Sequence, residues 1–145
     1  AASSGAVAVL CGAPTDLTVP PVEALVRWDP GWLAARELAE RRELSLPPAV
    51  VMASLDAERH ALADAVAAVG LADTVERLGP LPAPPPPGPR RVGDDPPPRQ
   101  RILLRTGHEH ALDLADALRA MRATRSARKE PETVHVVVGP RDAVV

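Results

Sequence analysis

The sequence has no phenylalanine and no tyrosine, one cysteine, and one lysine among its 145 residues. Each scarcity excludes something. With Cys11 alone, no disulfide can close within the chain and no multi-thiolate zinc site can form. Without Phe or Tyr, the core has to be built from Val, Leu, Ala and Ile, with Trp28 and Trp32 as the only large rings. No apolar run approaches the ~18 residues of a membrane span. No basic leader precedes the apolar stretch near the start, so a signal peptide is not expected. The chain opens without Met directly before an apparent strand, and reads as a piece cut from a longer protein. No G-x-x-x-x-G-K-[ST] loop and no G-x-G-x-x-G turn occurs, so the motifs that cradle nucleotide phosphates are lacking.

What is present is arginine, proline and an uneven charge distribution. The formal net charge is −2. Residues 1–88 carry 6 basic and 11 acidic side chains, residues 89–129 carry 10 and 5. Such asymmetry suits either a polyanion-facing surface or a solvated face with scattered arginines.

Hydrophobic patterning divides the chain. Ala6–Cys11 reads as a buried strand ended by Gly12 and Pro14. Pro20 and Pro21 suit the first turn of a helix, where a missing N–H costs nothing. Asp29-Pro30-Gly31 interrupts it, and a second helix spans about Trp32–Leu44, stopped by Pro47-Pro48. From there the pattern predicts a strand at Ala49–Leu55, a helix at Glu58–Val69 with Gly70 as its stop, and a strand at Thr74–Leu78. Residues 79–98, GPLPAPPPPGPRRVGDDPPP, should neither pair in a sheet nor continue a helix, because each proline lacks a donor and fixes φ. A strand at Arg101–Thr106, a helix at His108–Arg125 and a strand at Thr133–Val138 complete the pattern. In the helix at His108–Arg125, Ala111, Leu114, Leu118 and Met121 form the expected buried stripe, with Arg122 and Arg125 outside it. The class is α+β. The β-α-β-β-α-β order predicts a ferredoxin-like sandwich with two helices on one face of an antiparallel sheet.

His108 and His110 flank Glu109 at a helix start, but their spacing is not that of a paired metal ligand, and with His60 and His135 they read as ordinary polar residues. Trp28 and Trp32 could stack on bases, yet core anchoring is the expected use in a chain so short of rings. Arg41 and Arg42 end a helix among acids, the pattern of a salt-bridged, solvated face. Arg119, Arg122, Arg125, Arg128 and Lys129 run off the C-terminal end of another. Five cations in eleven residues exceed what a helix dipole needs, which leaves phosphate contact as the competing reading.

Val22–Pro48, Leu78–Ala83 and Arg125–Lys129 with the valine-rich strand after it resemble, in that order, the primosomal protein N′ (PriA) family of replication-restart helicases. Val22–Pro48, with a helix ending Glu40-Arg41-Arg42 before a paired proline, resembles the end of the family's second RecA-like lobe. Leu78-Gly79-Pro80-Leu81-Pro82-Ala83 resembles its L-G-P-x-P-A element, and Ser126-Ala127-Arg128-Lys129 before a valine-rich strand its S-R-K segment. The composition resembles the actinobacterial branch. The family often closes on D-V-D-P, where this chain has Val137-Val138-Gly139-Pro140. The resemblance implies that residues 1–46 end a helicase lobe and that residues 47–145 form a domain like ribosomal protein S10. That domain would be non-catalytic and would bind branched or forked DNA in the cytoplasm. Arg119, Arg122, Arg125, Arg128, Lys129, Arg41, Arg42 and Arg101 would be the contacts, and Arg90, Arg91, Arg99 and Arg105 could join them. The parent would resemble an ATP-dependent 3′–5′ DNA helicase using zinc, and ATP with magnesium where its ATPase motifs are intact. Single-stranded-DNA-binding protein and other primosome proteins would be partners. Two other functions fit the same residues: an interaction module using the proline-rich segment as ligand, and a small-molecule-binding regulatory domain.

Overall fold

A computed structural model of the chain describes residues 9, 11, 12, 14–83 and 97–140. The expected strand at Ala6–Cys11 and most of the proline-rich segment lie outside these residues. The chain forms two compact units, residues 1–40 and residues 41–145.

In the first unit, helix α1 spans Pro20–Arg27 with proline in its first turn, as the missing N–H allows. It ends at Trp28 in the left-handed region, φ 55°, where the N–H of Asp29 returns to the Ala24 carbonyl. Asp29 then opens α2, Pro30–Glu43, by accepting the Trp32 N–H at 2.9 Å. The expectation that both tryptophans anchor a core is corrected. Trp28 is 73% exposed at the helix stop. Trp32 is half-buried, with the guanidinium carbons of Arg27 and Arg36 at 5.8 and 5.9 Å from its ring centre. Cations on the same helical pair meet the ring, an interaction of about 0.5–1 kcal/mol at exposed sites.

The second unit is α+β. Strand β1 (Val51–Glu58) leads to α3 (Arg59–Val69), β2 (Glu76–Pro82), β3 (Arg99–Thr106), a 3-10 turn at His108–His110, α4 (Ala111–Ala127) and β4 (His135–Val138). The sheet is antiparallel with order β2-β3-β1-β4. Alternate residues Ala53, Leu55 and Ala57 of β1 and Ile102 and Leu104 of β3 face the helices, as period-two patterning requires. Onto them pack Ala61, Leu62, Ala65, Val66 and Val69 of α3 and Leu114, Leu118 and Met121 of α4. Alanines at 53, 57, 61 and 65 let α3 lie close to the sheet. Gly70 stops α3 in the left-handed conformation, φ 61°.

The proline-rich segment begins later than expected. Strand β2 runs through Gly79-Pro80-Leu81-Pro82, pairing Leu81 with Arg101 and Pro82 with Gln100 after a bulge between Leu78 and Leu81. An edge strand tolerates proline because its outer side needs no donor. Gly79 has φ 107°, and a Cβ there would meet the Arg101 carbonyl oxygen at 2.9 Å, so the bulge admits only glycine. Pro97 and Pro98 are exposed and precede β3. Among the described residues, no helix is long and apolar enough to cross a membrane.

Candidate nucleic-acid interface

Strand register sets the ends of the sheet. Glu58 pairs with Arg99 and Asp56 with His135, so β1 ends where β3 and β4 begin. At this end α3 starts with Arg59, α4 finishes at Ala127, and Arg128 and Lys129 enter the connection to β4. At the opposite end Val51 pairs with Thr106 and Glu76 with Arg105. Arg41 and Arg42 belong there, in the segment that runs into β1: Arg41 donates to the Pro47 carbonyl at 2.8 Å, and the Pro48 carbonyl meets His108 Nε2 at 2.7 Å. The fold therefore separates the two arginine clusters that the sequence singles out.

The arginines of β3 are tied into the sheet. Asp56 and Arg101 are cross-strand neighbours, and the guanidinium grips the carboxylate with two parallel bonds, Nε–Oδ1 at 2.8 Å and Nη2–Oδ2 at 2.7 Å. Arg101 is 9% exposed. The fold thus ties this expected DNA contact to Asp56, because the register sets it opposite an acid. Arg99 donates to the backbone carbonyls of Asp56, at 2.7 Å, and Thr133, at 3.4 Å. Arg105 pairs with its cross-strand neighbour Glu76 at 2.6 Å and reaches the Ser45 carbonyl at 3.3 Å.

The end of α4 is different. Arg119 pairs with Asp116 at 2.7 Å on an exposed face. Arg125, expected to be solvated, has a side chain only 11% exposed, pairs with Glu130 and donates to the Glu132 carbonyl at 3.1 Å. The reason lies in the spacing. The stripe Leu114, Leu118, Met121 continues by four residues to 125, so Arg125 stands on the buried side of α4 and its head meets Glu130 and the Glu132 carbonyl beyond the helix. Arg122, Arg128 and Lys129 are exposed and make no side-chain hydrogen bond or ion pair with the described residues. Lys129 stands at φ 52°, just past the helix. Arg42 is likewise exposed and without such a partner, at the other end of the sheet.

Sequence reasoning missed two further cations, Arg59 and Arg77. They flank a groove of about 760 Å³ between α3 and the β2–β3 pair, whose lining includes Leu62, Val66, Pro80 and Ile102. No local motif marks them, because one opens a helix and the other sits near the start of a strand. Among the described residues no group of three or more His, Cys, Asp or Glu side chains could hold a metal ion.

The family model described as the primosomal protein N C-terminal domain matches residues 42–141. The chain belongs to that family. The probable replication restart protein PriA of Mycobacterium leprae (strain TN) is 35% identical over 127 residues, covering 86% of this chain and 19% of that protein. Its namesake in Mycobacterium tuberculosis (strain CDC 1551 / Oshkosh) is 38% identical over 128 residues, covering 84% and 19%. The chain thus spans about a fifth of the length of these relatives. The primosomal C-terminal match takes in the whole sheet, both helices packed on it and the cationic end of α4.

Proposed function

We propose that this chain is a non-catalytic, DNA-binding part of a replication-restart protein, and that it takes branched or forked DNA at the α4 end of the sheet. The observation that carries the reading is the set Arg122, Arg128 and Lys129: three exposed cations without described partners, beside arginines that the fold has neutralised. Cations held by acids add little to polyanion binding. Those facing solvent can release counterions from phosphate and position a protein without reading sequence. That mode suits recognition of fork shape. The names of the mycobacterial relatives support the replication-restart setting.

The β-α-β-β-α-β order, with both helices on one face, supports reading the second unit as ferredoxin-like and S10-like. Residues 1–46 are proposed to end a RecA-like lobe. The parent's zinc, its use of ATP and its contacts with single-stranded-DNA-binding protein are carried from the family resemblance, as is a cytoplasmic setting.

The test is binding of a labelled fork at two salt concentrations. Affinity should fall steeply with salt, and the variant R122E/R128E/K129E should bind far more weakly, its salt slope reduced by about one unit per lost contact. A variant that is folded by circular dichroism yet keeps the original affinity and slope would remove this surface from consideration. Binding that is weak and insensitive to salt in the unaltered chain would favour a protein or small-molecule ligand.

A further inference from the structure

The groove between α3 and the β2–β3 pair is apart from the α4 cations and has its own chemistry. The geometry points to this groove as the seat of an unpaired DNA strand. The inference rests on the DNA-binding reading above and adds a second contact region that prefers single-stranded over duplex DNA.

Three observations carry it. First, among the described residues the ionisable side chains lining the groove are Arg59 and Arg77, with no described acid beside them. Both are exposed and neither makes a side-chain hydrogen bond or ion pair with a described residue. Unlike the β3 arginines, they have no acid placed opposite: the cross-strand neighbour of Arg77 is Leu104. Second, the two cations stand well apart. Arg77 is level with Leu104, whereas Arg59 lies just past Glu58, the partner of Arg99. Five strand residues separate those levels, on the order of 16 Å at ~3.3 Å per residue. That interval between the two backbone positions suits a ligand that is elongated and anionic at more than one place. Third, the floor between the cations is aliphatic, formed by Leu62, Val66 and Ile102, with Ala63 and Ala67 along its wall. A volume of about 760 Å³ falls among pockets that enclose organic ligands, not single ions.

An unpaired strand matches all three features. It carries a phosphate at every unit, and its bases offer apolar faces to the floor between them. A duplex hides those faces in its own stack and presents mainly phosphate and sugar, which suits the open α4 surface better than a groove. The groove reaches Pro80 and Gln100, on the side of the sheet where α3 begins and α4 ends. A strand leaving a duplex held at Arg128 and Lys129 would therefore meet cations again at Arg59.

The experiment uses the chain with three probes: a fluorescent oligothymidylate, a blunt hairpin duplex, and a peptide alternating glutamate with leucine. R77E and A67E alter the groove at exposed positions, away from the α4 cations. Each should weaken oligothymidylate binding about tenfold, R77E lowering the salt slope by about 0.7, the value for one single-strand contact. Hairpin binding should stay within twofold. Oligothymidylate binding unchanged in both folded variants overturns the assignment. So does peptide binding that R77E abolishes in a chain that does not bind oligothymidylate, which would give the groove to an acidic protein segment. If R122E/R128E/K129E loses the hairpin while R77E and A67E lose nothing, the groove inference fails and the DNA-binding reading stands. If the unaltered chain binds neither nucleic acid, both fail.

Discussion

Strand β3 and the end of α4 are the two most cationic regions of the second unit, and the fold treats them in opposite ways. In β3 all three arginines are tied, Arg99 to backbone carbonyls, Arg101 to Asp56 and Arg105 to Glu76. At the end of α4 two are tied and three, Arg122, Arg128 and Lys129, are left to solvent. A strand residue meets a neighbour imposed by register, so its charge can be matched by one acid at a predetermined position. A helix that runs past its packing partner has no such neighbour, and its last cations remain unmatched. A count of arginines alone cannot separate a surface for polyanions from a sheet's internal bracing. The positions of the acids can.

The contrast can be broken or sharpened by substitution, and the largest effect belongs to β3. Asp56→Ala should cost about 3 kcal/mol in urea unfolding, because a guanidinium 9% exposed would lose the carboxylate that compensates its charge. Replacing both partners together, D56L/R101M, should cost much less, since neither buried charge then remains. A small loss in D56A would mean that Arg101 is braced chiefly by its other contacts.

A middle-sized effect is expected at Arg125. Arg125→Ala removes a side chain only 11% exposed together with its pair to Glu130, and should lower stability by about 1–2 kcal/mol. Fork binding should be altered little in the folded variant. If R125A were as benign to stability as a surface substitution, the division within α4 between bracing and free cations would collapse.

The smallest effect is expected at Arg128. Arg128→Ala should leave the melting temperature nearly unchanged, within about 0.5 kcal/mol, because the side chain is exposed and holds nothing among the described residues. A clear drop in melting temperature would show that this arginine braces the α4–β4 connection and would weaken its assignment to DNA.

Much of the scaffold was legible beforehand. The period-two runs at β1 and β3, the stripe of α4, the stop at Gly70 and the prolines of α1 each correspond to a local rule, and the element order followed from them. Legibility failed where local rules conflict. Gly79–Pro82 reads as unfit for a sheet because proline lacks a donor, but an edge strand asks for donors on one side only, and Gly79 supplies the bulge. Arg125 looked like part of a solvated run because its charge outweighed its spacing. The spacing itself, continuing Leu114, Leu118 and Met121, held the answer and was overruled by residue type.

The sequence by itself determined the alternation of strands and helices, the shortage of rings that makes the core aliphatic, and the excess of arginine in residues 89–129. These depend on composition and on periods within one segment. Only the tertiary structure decided which arginines are free. Asp56 and Arg101 are 45 residues apart, Glu76 and Arg105 are 29, and Arg59 and Arg77 share a groove that does not exist until α3 lies on the sheet. The physical reason is that charge is cancelled by distance in space, and distance in space between remote residues is fixed by register and packing.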